Sequence, residues 1–133
     1  MLKELDLLTG DRFSNAATQS LIHARPNLVV LKINVHLGNH VMACIGTHCR
    51  HLRVLYITLH VIITPAAVRD LVQGCPLLED LDFYDSVSNA DKVITAVAEF
   101  CHRLRHTNLV PELSDQGLIA LSRGCPDLRD FDT

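Results

Sequence analysis

The sequence predicts an α/β solenoid, with a curved parallel β-sheet on the concave face and helices on the convex face. Three observations lead to this prediction: a repeated cysteine, a constant apolar spacing after each cysteine, and a helical apolar pattern before it. The cysteines that carry the period stand 26, 26 and 24 residues apart, at Cys49, Cys75, Cys101 and Cys125. Such a period is typical of stacked structural repeats.

The residues that follow each cysteine predict a β-strand. After Cys75 come Leu78, Leu81 and Phe83, and Asp82 lies between the last two. Because successive residues of a strand face opposite ways, we expect Leu81 and Phe83 to point into a core and Asp82 to point outward. The same spacing gives six predicted strand segments, at residues 2–8, 28–34, 52–58, 78–84, 104–110 and 128–132.

The residues that precede each cysteine predict a helix. Val68, Leu71 and Val72 recur at helical spacing before Cys75, so one face of this segment is apolar. Similar patterns precede Cys101 and Cys125. One strand and one helix cannot bury a core alone, but stacked neighbours can bury it jointly.

Helix termini are also visible in the sequence. Thr64 followed by Pro65 fits an N-cap with proline at the first helical position, and Ser114 fits a second N-cap. Gly74 and Gly124 are expected to form the C-terminal turns of their helices.

The repeats predict one domain over residues 1–133, with about five repeats of 24–26 residues and no evident caps. Terminal repeats without a cap expose core residues and an unpaired strand edge. We therefore expect either part of a longer repeat array or a degenerate repeat protein of marginal stability, and in both cases the ends could also self-associate.

Charge is unevenly distributed along the chain. The net charge is -3, which points to neither a nucleic-acid nor a membrane partner. Residues 1–70 carry seven basic and four acidic residues, whereas residues 71–133 carry five and eleven. This asymmetry indicates two different surfaces along an elongated body. No segment is long and apolar enough to predict a membrane span, and no secretory leader is recognisable.

The last repeats resemble a known family. Residues 113–128, which read LSDQGLIALSRGCPDL, and residues 73–78, which read QGCPLL, are similar to the cysteine-containing leucine-rich repeats of F-box proteins. The resemblance implies a leucine-rich-repeat fold that serves as the substrate-recognition arm of a ubiquitin ligase. In that family an F-box domain docks the ligase core. Here the repeat pattern begins at residue 2. Docking to the ligase core is therefore expected to need an F-box that this sequence lacks or that a separate chain supplies.

The spacing of the cysteines and histidines does not favour a metal site. Metal sites need ligands at short spacing, whereas each repeat cysteine fits a small apolar residue at a tight corner. Their odd number, five, favours free thiols and a reducing compartment, the cytoplasm or nucleus. His36, His40, Cys44 and His48 recur every four residues, but the repeat register predicts a solvated face there rather than zinc. We expect no metal and no cofactor.

Nothing in the sequence predicts catalysis. There is no nucleophile-elbow motif and no glycine-rich phosphate loop. The protein is therefore expected not to be an enzyme.

The outward strand positions are the predicted protein-binding surface. The middle of this concave face is apolar and aromatic, and its C-terminal end is acidic, which favours a basic protein partner with an apolar anchor. The candidate residues are Val30, Lys32, Val54, Tyr56, Asp80, Asp82, Tyr84, His106, Asn108, Asp130 and Asp132.

Two classes of function therefore remain open. The first is a non-catalytic protein-binding module that recognises substrates for an F-box-type ubiquitin ligase. The second is a structural or regulatory repeat scaffold unrelated to ubiquitination, or a fragment of a longer repeat protein. The fold alone does not identify the partner, because repeat scaffolds bind unrelated targets.

Overall fold

The computed structural model describes residues 3–7, 15–35, 39–59, 64–83, 90–108 and 114–131. In these ranges strands and helices alternate along the chain. The strands are β1 (Glu4–Asp6), β2 (Val30–Val35), β3 (Val54–Leu59), β4 (Asp80–Phe83), β5 (His106–Thr107) and β6 (Asp130–Phe131). The helices are α1 (Asn15–His23), α2 (Asn39–His48), α3 (Pro65–Gly74), α4 (Ala90–Phe100) and α5 (Asp115–Gly124).

The six strands form one parallel sheet in chain order, from β1 to β6. Leu31 pairs with Leu55, Leu55 with Leu81, and Leu81 with Thr107, so each strand repeats the register of the one before it. This confirms the predicted α/β class and the parallel pairing. The arrangement is compatible with a repeat solenoid.

The strands are shorter than the predicted segments. Leu52 lies in the turn after Cys49, where its N–H donates to the Cys49 carbonyl, and the strand begins two residues later. The prediction counted this first buried leucine of each repeat as part of the strand. It is buried because the turn, and not the sheet, directs it into the core.

The core lies between the sheet and the helices and runs through all the central repeats. Five inward residues of β2, β3 and β4 are buried together with apolar residues from α2, α3 and α4: Leu31, Ile33, Leu55, Ile57 and Leu81. Thr107 stands at an inward position where the repeat pattern predicts an apolar residue. Its hydroxyl is buried and donates to the Leu81 carbonyl at 2.8 Å, so the polar group is satisfied within the core.

The repeat cysteines stand at the corners that join each helix to the next strand. Cys49, Cys75, Cys101 and Cys125 are all buried free thiols, as predicted. The Cys75 sulfur donates to the Cys49 carbonyl at 3.3 Å, and the Cys125 sulfur donates to the Cys101 carbonyl at 3.2 Å. The thiols therefore link neighbouring corners as well as filling them.

The predicted helix starts are confirmed. Thr64 Oγ1 accepts a hydrogen bond from the Ala67 N–H at 3.2 Å, and Ser114 Oγ accepts one from the Gly117 N–H at 3.4 Å. Each of these bonds satisfies a backbone donor that has no partner inside its helix.

Gly74 and Gly124 end their helices as predicted, but the physical reason given for glycine at these positions was wrong. Both residues end a helix, but neither adopts the left-handed φ of a glycine C-terminal turn. A Cβ on Gly74 would lie 1.7 Å from the Gly46 carbonyl oxygen, and one on Gly124 would lie 2.2 Å from the Ala98 carbonyl oxygen. Glycine is needed here because adjacent helices approach backbone to backbone.

Helix α5 differs from the other helices in what it leaves exposed. Leu118 lies seven residues before its repeat cysteine and is 51% exposed. The residues at the same position in the three preceding repeats, Met42, Val68 and Ile94, are fully buried. Within the described ranges, no further helix covers this side of α5.

Replacing Cys75 with serine tests the role of the cysteine corner. We expect Cys75→Ser to lower the free energy of unfolding by about 1–3 kcal/mol, because it buries a more polar hydroxyl in an apolar corner. Chemical denaturation measures the change. Cys44→Ser is the matched control, since Cys44 is only partly buried, and it should change stability much less. Equal stability of the two variants would contradict this account.

Replacing Gly74 with alanine tests the close helix contact. The new methyl group must push α3 away from the Gly46 backbone, so we expect destabilisation near the upper end of the roughly 1–3 kcal/mol range for overpacking. Thermal and urea denaturation measure it. Gln73→Ala, on the exposed neighbour, should be nearly neutral. A stable Gly74→Ala variant would show that the helices tolerate a wider separation.

Candidate functional site

The candidate site is the outer strand face, which we define as the sheet surface that carries the outward residues of β1 to β6. The strand register aligns one outward residue of each strand into a first column. Each member of this column pairs with the next one across the sheet: Glu4, Val30, Val54, Asp80, His106 and Asp130. The second column contains Asp6, Lys32, Tyr56 and Asp82. Both columns have the predicted residue order.

An apolar and aromatic patch lies in the middle of the outer strand face. Val30 and Val54 are half-buried, as is Tyr56 beside them. The Lys32 ammonium lies 5.1 Å from the centre of the Tyr56 ring, within the range of a cation–π contact. Lys32 therefore covers part of the aromatic surface that the sequence predicted as a binding anchor.

The acidic region differs from the open patch that the sequence predicted. Only 8% of the Asp82 side chain is exposed, and 24% of the Asp80 side chain. The Tyr56 hydroxyl donates to Asp80 Oδ2 at 2.7 Å. His106 Nε2 lies 3.2 Å from Asp82 Oδ1 and 3.9 Å from Asp80 Oδ1. The two carboxylates are thus part of a network with His106 and Tyr56.

This network corrects the expectation that the acidic end of the face is open to a basic partner. His106 lies beside both aspartates of β4 and contacts them. Sequence reasoning named all three residues as outward but did not recognise them as one cluster. The available signal was positional: two aspartates two residues apart on one strand, beside a histidine on the next strand.

The remaining candidate residues are placed to different extents. Asn108 is half-buried and has an interaction partner. Asp130 continues the first column by pairing with His106. Tyr84 and Asp132 lie outside the described residues.

Two arginines that precede strands are paired with one carboxylate. Arg53 and Arg105 each lie 3.9 Å from Glu79 through their nearest charged atoms. All three side chains are more than a third exposed, so these ion pairs contribute little stability. They form a charged border at the edge where β3, β4 and β5 begin.

The sequence predicts a solvated face on α2 rather than a zinc site, and among the described residues His40, Cys44 and His48 do not form a group that could share a metal ion. His48 instead contacts His23 of α1, with the nearest ring nitrogens 3.4 Å apart. The Cys44 sulfur points to the Gln19 carbonyl at 3.9 Å. His36 lies outside the described residues. Among the residues described, the group of three that is close enough to share a metal ion is Asp80, Asp82 and His106.

The helical side carries a different charge pattern. Arg69 of α3 makes two hydrogen bonds to the Glu99 carboxylate of α4, at 2.8 and 3.2 Å, and lies over the Phe100 ring. Asp70 is exposed beside it. Among the helices that the structure describes, none is long and apolar enough to cross a lipid bilayer.

Burial controls the ionisation of the repeat cysteines. Desolvation raises the pKa of Cys49 and of Cys75 to about 12, and that of Cys125 to about 11. It raises the pKa of Cys101 as well. Because a thiolate is the reactive form of cysteine, these residues are poor nucleophiles and poor metal ligands in the folded protein.

The raised pKa values predict a loss of stability in alkaline solution. An unfolded cysteine has its ordinary pKa of 9.0, whereas Cys75 in the fold has a pKa of about 12. Between these values only the unfolded chain loses the proton, so the free energy of unfolding falls as pH rises above 9.

We expect each fully buried cysteine to contribute up to about 1.4 kcal/mol per pH unit to this fall. Urea denaturation between pH 8 and 11 measures the total, to which other groups also contribute. Comparing the native chain with Cys75→Ala isolates one cysteine, and the variant should show a shallower fall. Parallel curves for the two proteins would show that Cys75 titrates normally in the fold.

Comparisons with known proteins bear on the class of this chain. No family model matches it. Coronatine-insensitive protein homolog 2 from Oryza sativa subsp. indica and its namesake from subsp. japonica are each 26% identical over 154 aligned positions, covering 98% of this chain. The chain spans about 25% of the length of these relatives. They are F-box and leucine-rich-repeat proteins, so the likeness supports at most a distant relationship to that group.

Proposed function

We propose that the chain is a leucine-rich-repeat solenoid that binds a protein partner on its outer strand face. The specific role we propose is substrate recognition for an F-box-type ubiquitin ligase. The observation that carries the proposal is the register of the sheet, which aligns outward side chains into continuous columns. Repeat proteins present such surfaces to their partners. The distant likeness to the rice proteins supports the repeat class.

The chemistry of the outer strand face favours a partner with both basic and apolar residues. Val30, Val54 and Tyr56 offer an apolar centre, and aromatic residues in such positions often dominate binding energy. Glu4 and Asp6 are exposed at one end of the columns, and Asp130 extends the first column at the other end. A basic partner would meet negative charge on both sides of its apolar contact.

The aspartates of β4 contribute less free charge to the outer strand face than their sequence positions predict. Asp82 is nearly buried, so it shapes the surface through His106 more than it offers free charge. Asp130 is the better residue for testing charge attraction, because its backbone continues the first column two strands beyond Asp80.

A second candidate function is a structural or regulatory repeat scaffold with no connection to ubiquitination. The exposed apolar side of α5, at Leu118, favours this function. In the preceding helices the residue at the same repeat position is buried. Such a surface would accept a further repeat or a second copy end to end. In either case we propose a non-catalytic protein of the cytoplasm or nucleus.

Affinity purification with charge variants tests the proposed surface. The chain, Asp130→Lys and Asp70→Lys serve as baits, and the recovered proteins are quantified by mass spectrometry. Both substitutions change the charge by the same amount, but Asp70 lies on the helical side. We expect the specific partner to be depleted by Asp130→Lys and retained by Asp70→Lys.

The partner identified in this way is then measured against each variant at several salt concentrations. Asp130→Lys should slow association on the order of tenfold at low salt and reduce its salt dependence. Loss of binding with Asp70→Lys alone would place the partner on the helical side. Recovery of ligase core components with the partner supports the ubiquitin role, and their absence favours the scaffold.

A further inference from the structure

The cluster on β4 and β5 has the composition of a metal site. Asp80 and Asp82 each offer a carboxylate oxygen and His106 offers a ring nitrogen, and the three atoms lie within 4.8 Å of one another. We propose that this cluster binds one divalent transition-metal ion, with Zn²⁺ as the best match. The inference does not depend on the proposed protein partner.

The spacing of the donor atoms is close to what Zn²⁺ requires. Ligands bonded to tetrahedral Zn²⁺ at about 2.0–2.2 Å are roughly 3.4 Å from one another. His106 Nε2 lies 3.2 Å from Asp82 Oδ1 and 3.9 Å from Asp80 Oδ1. The first separation therefore fits, the second needs a change of about half an ångström, and the carboxylate oxygens of Asp80 and Asp82 lie within 4.8 Å of each other. Rotation of the Asp80 carboxylate supplies a shift of this size.

Electrostatics favours a cation in the cluster. Two carboxylates against one imidazole leave a net negative charge in either state of the histidine. Asp80 Oδ1 is buried and accepts no hydrogen bond from any described residue, and a buried carboxylate oxygen is costly unless a cation or a hydrogen bond compensates it. A divalent ion would compensate this oxygen and would add to the interactions that the 92% buried Asp82 side chain already makes.

The surroundings hold the ligands in place. The Tyr56 hydroxyl donates to Asp80 Oδ2, which orients the carboxylate and leaves Oδ1 directed toward the cluster. Outer hydrogen bonds of this kind orient the ligands of metal sites. Asp80 and His106 are paired across adjacent strands, so the sheet sets the distance between their backbones. A site on paired strands is more rigid than one on loops.

The donor set discriminates between ions. Mg²⁺ and Ca²⁺ prefer six or more oxygen ligands, whereas this cluster offers two carboxylates and an imidazole. Imidazole with carboxylates suits Zn²⁺ and similar transition metals. Three protein ligands would leave a fourth position for water or for a side chain of a bound protein.

Zinc titration of the full chain by isothermal calorimetry, after removal of metals with a chelator, tests the proposal. We expect one Zn²⁺ per chain and much weaker binding of Mg²⁺ and Ca²⁺. His106→Asn and Asp80→Asn should each weaken Zn²⁺ binding by more than roughly 100-fold. Tyr56→Phe removes only the orienting hydroxyl and should weaken it by roughly 10-fold or more.

His48→Asn is the matched control, because His48 lies 3.4 Å from a ring nitrogen of His23 on the helical side, away from the proposed site. It should leave Zn²⁺ binding unchanged. If His48→Asn abolishes binding and His106→Asn does not, the ion sits on the helices and the proposal is wrong. Absence of Zn²⁺ binding to the folded chain also overturns it, since the cluster would then be a histidine–aspartate network alone.

Cobalt substitution adds a readout that distinguishes the ligand type and does not require every variant to fold. Co²⁺ bound by carboxylates and imidazole should give visible d–d absorption without the near-ultraviolet sulfur-to-cobalt charge-transfer band. A charge-transfer band would identify a cysteine site and contradict the assignment. Circular dichroism of each variant separates lost ligands from lost structure. If Asp80→Asn does not fold, His106→Asn and Tyr56→Phe decide, and unchanged affinity in both contradicts the proposal.

Discussion

No strand–helix unit of this chain can bury its own apolar side chains, and every other feature depends on neighbouring units covering one another. The inward leucines of adjacent strands pair in register, and the buried cysteines link one corner to the next. This shared burial forces the helices together at Gly46 and Gly74, where no side chain fits. It also aligns the outward residues into columns, so the candidate site is a by-product of core packing.

Two kinds of feature could be predicted from the sequence. Local residue patterns predict the strand alternation and the N-caps at Thr64 and Ser114. The constant repeat spacing predicts the cysteine corners and the order of the outward columns. Contacts between repeats could not be predicted in the same way. The close backbone contact between Gly46 and Gly74 depends on the distance between α2 and α3, and no pattern in the sequence gives that distance. The length of each strand likewise depends on the turn that follows each cysteine.

The outer strand face shows the same division between position and interaction. The sequence placed Tyr56, Asp80, Asp82 and His106 on one surface and treated them as independent contacts for a partner. In the structure the aspartates are largely covered and linked to Tyr56 and His106. A buried polar network of this kind limits the orientations available to its members, and therefore defines a more rigid surface than isolated charges would.

The unequal lengths of the strands have a consequence for how the molecule opens. Strands β2 and β3 share six paired positions, whereas β5 and β6 share two. In a linear stack each unit is stabilised mainly by its nearest neighbours, so local opening begins where the pairing between strands is weakest. Amide hydrogens of β2 and β3 should then exchange with solvent later than those of β5. His106 lies on the short strand β5, so the cluster it forms with β4 stands at the boundary between a strongly paired and a weakly paired region.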